Sequence, residues 1–190
     1  MSDASEKFNE MFSENFDRVM EFRQSLSKET DRGCALMAAA YLDSEIEKLL
    51  SKYFVNNENV KKEVLGQSRP LGTFSSRIDM AYLLGLIGAK AHRDLHLIRK
   101  VRNEFGHVPT PISFDDQSLA NRCGELYHDA YGKDAAPRDK FNNVVMGILG
   151  MIHISIIATT PIEERKDVSV DLAKEKVNKF MKDFVEEIKK

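Results

Sequence analysis

The sequence predicts an all-α fold, a bundle of about seven or eight helices built from antiparallel neighbours. Three observations carry that expectation. Apolar residues recur at steps of three and four along most of the chain. The interruptions between these stretches are short and marked by Gly, Pro or Ser. No segment alternates apolar and polar residues strongly enough to compete as a strand, and neither an internal repeat nor a low-complexity tract occurs. At 190 residues, 42% hydrophobic and 31% charged, the chain has the make-up of an ordinary folded protein. A chain of that length buries about 70% of the surface it exposes when unfolded.

Taken in order, residues 5–26 place Phe8, Met11, Phe12, Phe16, Val19 and Met20 at helical spacing. A second helix opens near Thr30, whose hydroxyl suits an N-cap, and carries Leu36, Ala39, Leu42, Ile46, Leu49, Leu50 and Tyr53 on one face. Its run Ala38-Ala39-Ala40 suits close helix packing. A short helix runs from Glu58 to Leu65 and stops at Gly66. Residues 66–74 form a loop by composition, and Ser75 or Ser76 opens a helix through Ile78, Ala81, Tyr82, Leu84, Leu86 and Ile87 that Gly88 breaks.

The next helix, from about Lys90 to Phe105, turns Leu95, Ile98, Val101 and Phe105 inward and ends at Gly106 and Pro109-Thr110-Pro111. Ser113 suits the cap of a helix through Leu119 and Leu126, and 132–137 reads as a linker. From about Arg138 to Thr159 the pattern is apolar nearly all round, which predicts the buried central helix. Gly147 and Gly150, three apart, would let another helix approach it closely, so that Gly147→Leu would overpack. Beyond Pro161 the last 25 residues are amphipathic, with Val168, Leu172, Val177, Phe180, Phe184, Val185 and Ile188 expected inward.

Composition narrows the function classes. Twenty-eight basic against 30 acidic residues leave a net charge of −2, which argues against a domain-wide footprint for nucleic acid. Two cysteines, Cys34 and Cys123, are too few for a disulfide framework or a cysteine-built zinc site, and both fall in apolar patterns that predict inert thiols. The start MSDASEKFNE has no apolar run of the kind a signal peptide carries. The longest apolar stretch, Val144 to Ala158, falls short of the roughly 20 residues that cross a bilayer. A reducing cytoplasm without membrane contact is the expected setting.

Four constellations could carry chemistry. In Arg102-Asn103-Glu104-Phe105-Gly106-His107, an arginine fork could meet phosphate oxygens while a histidine moves a proton near neutral pH. A five-residue step turns side chains about 140° apart, so Arg102 and His107 converge only if the helix unwinds at Gly106. Otherwise His107 caps the last carbonyls of its own helix. His92 and His96, four apart, could supply two metal ligands, but spacing fixes no acidic third. They read as a solvated basic face, and neither metal nor cofactor is expected. A loose helix-turn-helix around Ala81, Gly85 and Gly88 precedes a helix where Lys90, Arg93, Arg99, Lys100 and Arg102 outnumber Asp94 and Glu104. Both helices are needed for the core, so sequence-specific DNA reading is not expected. Arg69 and Arg77 flank a loop that could bind an anion or serve as a rigid turn holding two helices.

Three segments, 31–50 (DRGCALMAAAYLDSEIEKLL), 69–88 (RPLGTFSSRIDMAYLLGLIG) and 94–109 (DLHLIRKVRNEFGHVP), together resemble the mannitol operon repressor family. The resemblance implies an all-helical protein that acts on transcription through partners rather than by reading bases. The flanks 1–28 and 130–190 carry no such signature; with the length prior, the expectation is a single domain over 1–190, with a family-like core at 30–130 and helices at 138–188 packed on it. Arg102-Asn103-x-x-x-His107 is similar in addition to the signature of the HEPN superfamily, whose active members are helical, metal-independent ribonucleases. That second resemblance implies a HEPN-like bundle and a homodimeric site. In such a site Arg102 would stabilise the phosphorane, His107 would act on the ribose 2′-OH, and Asn103 would orient it. The expected function is regulation of gene expression through protein or RNA contacts, with Arg69, Arg77 and Arg99 as binding residues. The alternative is an endoribonuclease of toxin or defence type.

Overall fold

The computed structural model describes residues 3–128, 134–167 and 169–188, with the backbone alone for 3–12, 14 and 15. Among these residues there are eight helices and no strand: α1 (Asp3–Lys28), α2 (Asp31–Tyr53), α3 (Glu58–Leu65), α4 (Phe74–Leu83), α5 (Ala89–His107), α6 (Gln117–Gly124), α7 (Pro137–Ala158) and α8 (Val170–Ile188). The expected all-α bundle is the observed one. Phe8, Met11, Phe12 and Val168, expected inward, lie outside the described side chains.

Side-chain caps set several boundaries. Thr30 accepts from Gly33 N at 3.1 Å to open α2, and Asn57 accepts from Val60 N at 3.2 Å to open α3. Thr73 and Ser76 cap each other's backbone, so α4 starts at Phe74, just before the predicted serines. Its end is also earlier than predicted. Gly85, at φ +72°, turns the chain left-handed, with Gly85 N on Tyr82 O and Leu86 N on Ala81 O. Leu86 and Ile87 therefore belong to a tight link, and Gly88 sits at the N-cap of α5 rather than at the end of α4. α6 starts at Gln117, because Asp116 and not Ser113 occupies its N-cap.

The core forms around α2, which packs against α1, α3, α4, α5 and α7. Cys34, Ala35, Ala38, Ala39, Leu42, Ile46, Leu49 and Leu50 are buried, and the small residues let neighbours approach closely. Leu36 differs from expectation: it is exposed, on the side of α2 facing away from that core. α5 contributes Leu95, Ile98, Val101 and Phe105 as predicted, and the rings of Phe105, Phe114 and Phe141 pack in sequence at tilted angles with centroids 4.9 and 5.0 Å apart.

α7 shares the centre with α2 instead of holding it alone. Its buried residues, Phe141 to His153, pack on α1, α2, α5 and α6, while Met151 and Ile154 are exposed. At 22 residues α7 is long and apolar enough to cross a membrane by length and composition, which the shorter stretch read from the sequence was not. In the fold it is a core helix. Gly147 and Gly150 have open space where a Cβ would stand, so the expected overpacking does not arise. Both line an apolar groove of about 320 Å³ with Phe16, Met20 and Ile157.

α8 departs furthest from expectation. It has no buried residue and no packing contact with another helix, so the face expected inward is exposed.

Candidate functional site

Most of the motif residues of α5 share one face, with Arg102 about 100° from its middle. At about 100° per residue, His92, His96, Arg99, Asn103 and His107 fall within one narrow sector, and the first four span roughly 16 Å. The opposite face holds α5 in the core through Leu95, Ile98, Val101 and Phe105. The stripe therefore rides on a helix fixed from behind.

At its C-terminal end, Arg102 and His107 are both exposed, and Arg102 Nη1 donates to Asn103 Oδ1 at 2.9 Å. The helix continues through Gly106 to His107, and Val108 N closes it on Glu104 O at 3.2 Å. The unwinding that would bring Arg102 and His107 together within one chain does not occur. Glu104 is occupied, accepting from Arg122 Nε at 3.1 Å and from Ser118 Oγ. In the middle of the stripe Arg99 is half-buried, and its Nε has no hydrogen-bond partner among the described residues.

The two loop arginines part company. Arg69 is exposed and pairs with Glu63 at 2.8 Å. Arg77 is buried, donating from Nε to Leu71 O and from Nη2 to Leu65 O. Its Nη1 reaches Asp43 at 2.8 Å, and its Nη2 also reaches Glu47 at 2.7 Å. Buried, and with its charge met by Asp43 and Glu47, this fork is poorly placed to receive an anion. Arg77 is the pin of a rigid turn, the other role read for this loop.

At the N-terminal end lies a feature that spacing alone did not reveal. Asp79 of α4 places Oδ1 2.8 Å from His92 Nε2 and 2.9 Å from His96 Nε2. The hydrogen bond from His92 chiefly, and that from His96, hold the Asp79 carboxyl below its ordinary value. Tyr82 covers His92 with ring centroids 4.6 Å apart. The Gly85 turn folds α5 back beside α4, so a residue thirteen positions upstream joins the pair. The signal was present in the sequence only as an Asp preceding a helix reversal.

A buried polar pair was missed as well. Glu45 accepts from His153 Nε2 at 3.1 Å and from Lys48 Nζ at 2.6 Å, while His153 Nδ1 is buried without a partner at the floor of the groove between α1 and α7. Burial pushes the Glu45 carboxyl up, but the His153 and Lys48 hydrogen bonds together outweigh it, and the group titrates below its ordinary value.

Comparison with known proteins agrees with this architecture. The mannitol operon repressors of Escherichia coli strains K12 and O6:H1 are each 26% identical over 102 residues, 52% of this chain and 52% of theirs. The match thus spans about half the length of those relatives. A solved structure of the MtlR–HPr complex from Escherichia coli matches 72% of this chain and 97% of its own, with TM-score 0.61 and 21% identity, a likeness of fold. The family model described as mannitol repressor, MtlR, matches residues 16–140, about two thirds of the sequence. The chain belongs to the mannitol repressor family.

Proposed function

We propose that this protein is a cytoplasmic regulator of gene expression that works through protein contacts, with HPr as a partner. The observation that carries the reading is membership of the mannitol repressor family, and the likeness in fold to an MtlR solved with HPr supports the choice of partner. The contact surface is the partly exposed stripe of α5, with Arg102 at its edge. Arg102 and His107 face solvent at its C-terminal end, and Arg99, half-buried, stands one turn before Arg102. Neither a bound metal nor a nucleotide is needed for such a contact.

Titration calorimetry with purified HPr tests the reading. Saturable 1:1 binding is expected, weakened at least tenfold in Arg99→Ala and Arg102→Ala. No binding to HPr would overturn that choice of partner. RNA cleavage in chelator that disappears in His107→Ala would instead favour the endoribonuclease.

Two copies act together in this reading, joined through α8. Its apolar residues, from Val170 to Ile188, are 44–69% exposed, a stripe too extensive to stay in water unpaired. Lys174, Lys176 and Lys179 outnumber Asp171 and Glu175 in its first half, and Asp183, Glu186 and Glu187 outnumber Lys182 in its second. Antiparallel pairing with a second copy sets a weakly positive half against a negative one as the stripes close.

A further inference from the structure

We propose that Asp79, His92 and His96 form a site for a divalent transition metal of the zinc class, with a fourth position open to water. The inference is independent of the HPr reading, since it rests on three side chains and the turn that assembles them.

The donor set suits such an ion. Two imidazoles and one carboxylate are a ligand set zinc takes at four-coordinate sites where the protein supplies three ligands and water the fourth. His92 and His96 stand four apart on a helix held from behind by Leu95, Ile98 and Val101, so their relative placement is fixed by the core. Asp79 comes from a different helix, and the Gly85 turn sets its distance along the chain. All three donor atoms lie within 4.8 Å of one another.

Distances support the same conclusion. Around a tetrahedral zinc with bonds of roughly 2.0–2.1 Å, neighbouring ligand atoms stand about 3.3 Å apart. Asp79 Oδ1 is 2.8 and 2.9 Å from the two Nε2 atoms, so these two contacts need to open by only about half an ångström to take the ion. A carboxylate oxygen aimed between two imidazoles already attracts positive charge. It can hold a proton shared with the rings or, with both rings neutral, a metal ion.

The surroundings fit as well. The His92 and His96 side chains are 27% and 21% exposed and Asp79 51%, which leaves a path for the ion and room for a water ligand. The rings of Tyr82, His92 and His96 form a chain with successive centroids 4.6 Å apart, restraining the rotation that would scatter the donors. Ligands must be deprotonated, so affinity falls as pH drops through the range where histidine takes up a proton.

The test uses the full chain, purified without a histidine tag, stripped with chelator and titrated with zinc against a chromophoric competitor. One zinc per chain is expected, with affinity reduced tenfold or more in His92→Ala, His96→Ala and Asp79→Asn at matched helicity. Cobalt should give the visible bands of a four-coordinate site, lost in the same variants. Should an alanine variant lose helicity, X-ray absorption on the zinc-loaded parent reads the ligand set directly, two imidazoles and light atoms at about 2.0–2.1 Å. Absence of 1:1 binding, or equal binding by parent and Asp79→Asn, would show that the cluster is only a hydrogen-bonded link between α4 and α5.

Discussion

Arg77 Nη1 donates to Asp43 Oδ1 across 2.8 Å, tying the start of α4 to the middle of α2. The same guanidinium holds Leu65 O and Leu71 O, so one buried side chain fixes both ends of the loop between α3 and α4. Replacing it with Met keeps the bulk of the stem but strips both carbonyls of their donor. A destabilisation of about 2–4 kcal/mol is expected, since each buried acceptor left unmade costs about 1–3 kcal/mol while Asp43 and Glu47 regain water. A lower urea midpoint at unchanged slope is the measurement. Arg77→Lys should restore little, because an ammonium cannot span the fork's contacts. An unchanged midpoint would mean that the loop is held by other contacts.

Gly147 is expected to tolerate, and even welcome, a side chain. Its missing Cβ would meet nothing within 4 Å, and it stands in a helix interior. Gly147→Ala should stabilise by roughly 0.5–1 kcal/mol through helix propensity. A lowered melting midpoint would show that something occupies the groove.

That reversal marks what the sequence could and could not tell. Periodicity located every described helix, because burial on one face leaves its imprint at three- and four-residue steps. The core residues of α5 followed directly. The pair Gly147 and Gly150 looked like a packing seam, but a glycine pattern is the same whether the neighbour is present or the space is open. α8 failed for a related reason: an amphipathic stripe states that a face needs covering, not by what. Arg77 and Asp79 were illegible in a different way. The first read equally as an anion ligand or as part of a rigid turn and the second drew no notice, since their partners come from α2 and α5 and only the fold brings them close.

Glu45 makes acid stability depend on one buried carboxyl. Burial opposes its ionisation, yet the bonds from His153 and Lys48 bring its folded value below the ordinary 4.5. A carboxyl with a depressed folded value contributes stability above its ordinary range, and that contribution fades as pH falls through the folded value. Glu45→Gln should therefore be less stable than the parent at neutral pH, with the gap narrowing below about pH 4.5. Denaturant midpoints measured from pH 3 to 7 follow the gap. A constant difference would place the linkage elsewhere.

The thiols should be silent. Burial pushes Cys34 up to about 11 and Cys123 up to about 12, so almost no thiolate is present at neutral pH. A thiol reagent should modify neither in the native protein and both after denaturation. Prompt native labelling would reveal an opening of α2 or α6.

Self-association should depend on α8 alone. Phe180 and Phe184 stack with centroids 6.2 Å apart on its exposed stripe, at the centre of the pairing proposed for two copies. Phe180→Glu with Phe184→Glu would set like charges across that antiparallel contact and add to the cost of burying them. Sedimentation should give twice the chain mass for the parent and the single mass for the double variant. The unfolding free energy of the α1–α7 body should stay within about 0.5 kcal/mol of the parent's, because α8 buries nothing against it. A monomeric parent, or a dimer that survives both substitutions, would place the interface on another face. The groove where Gly147 and Gly150 leave room would then be the next to test.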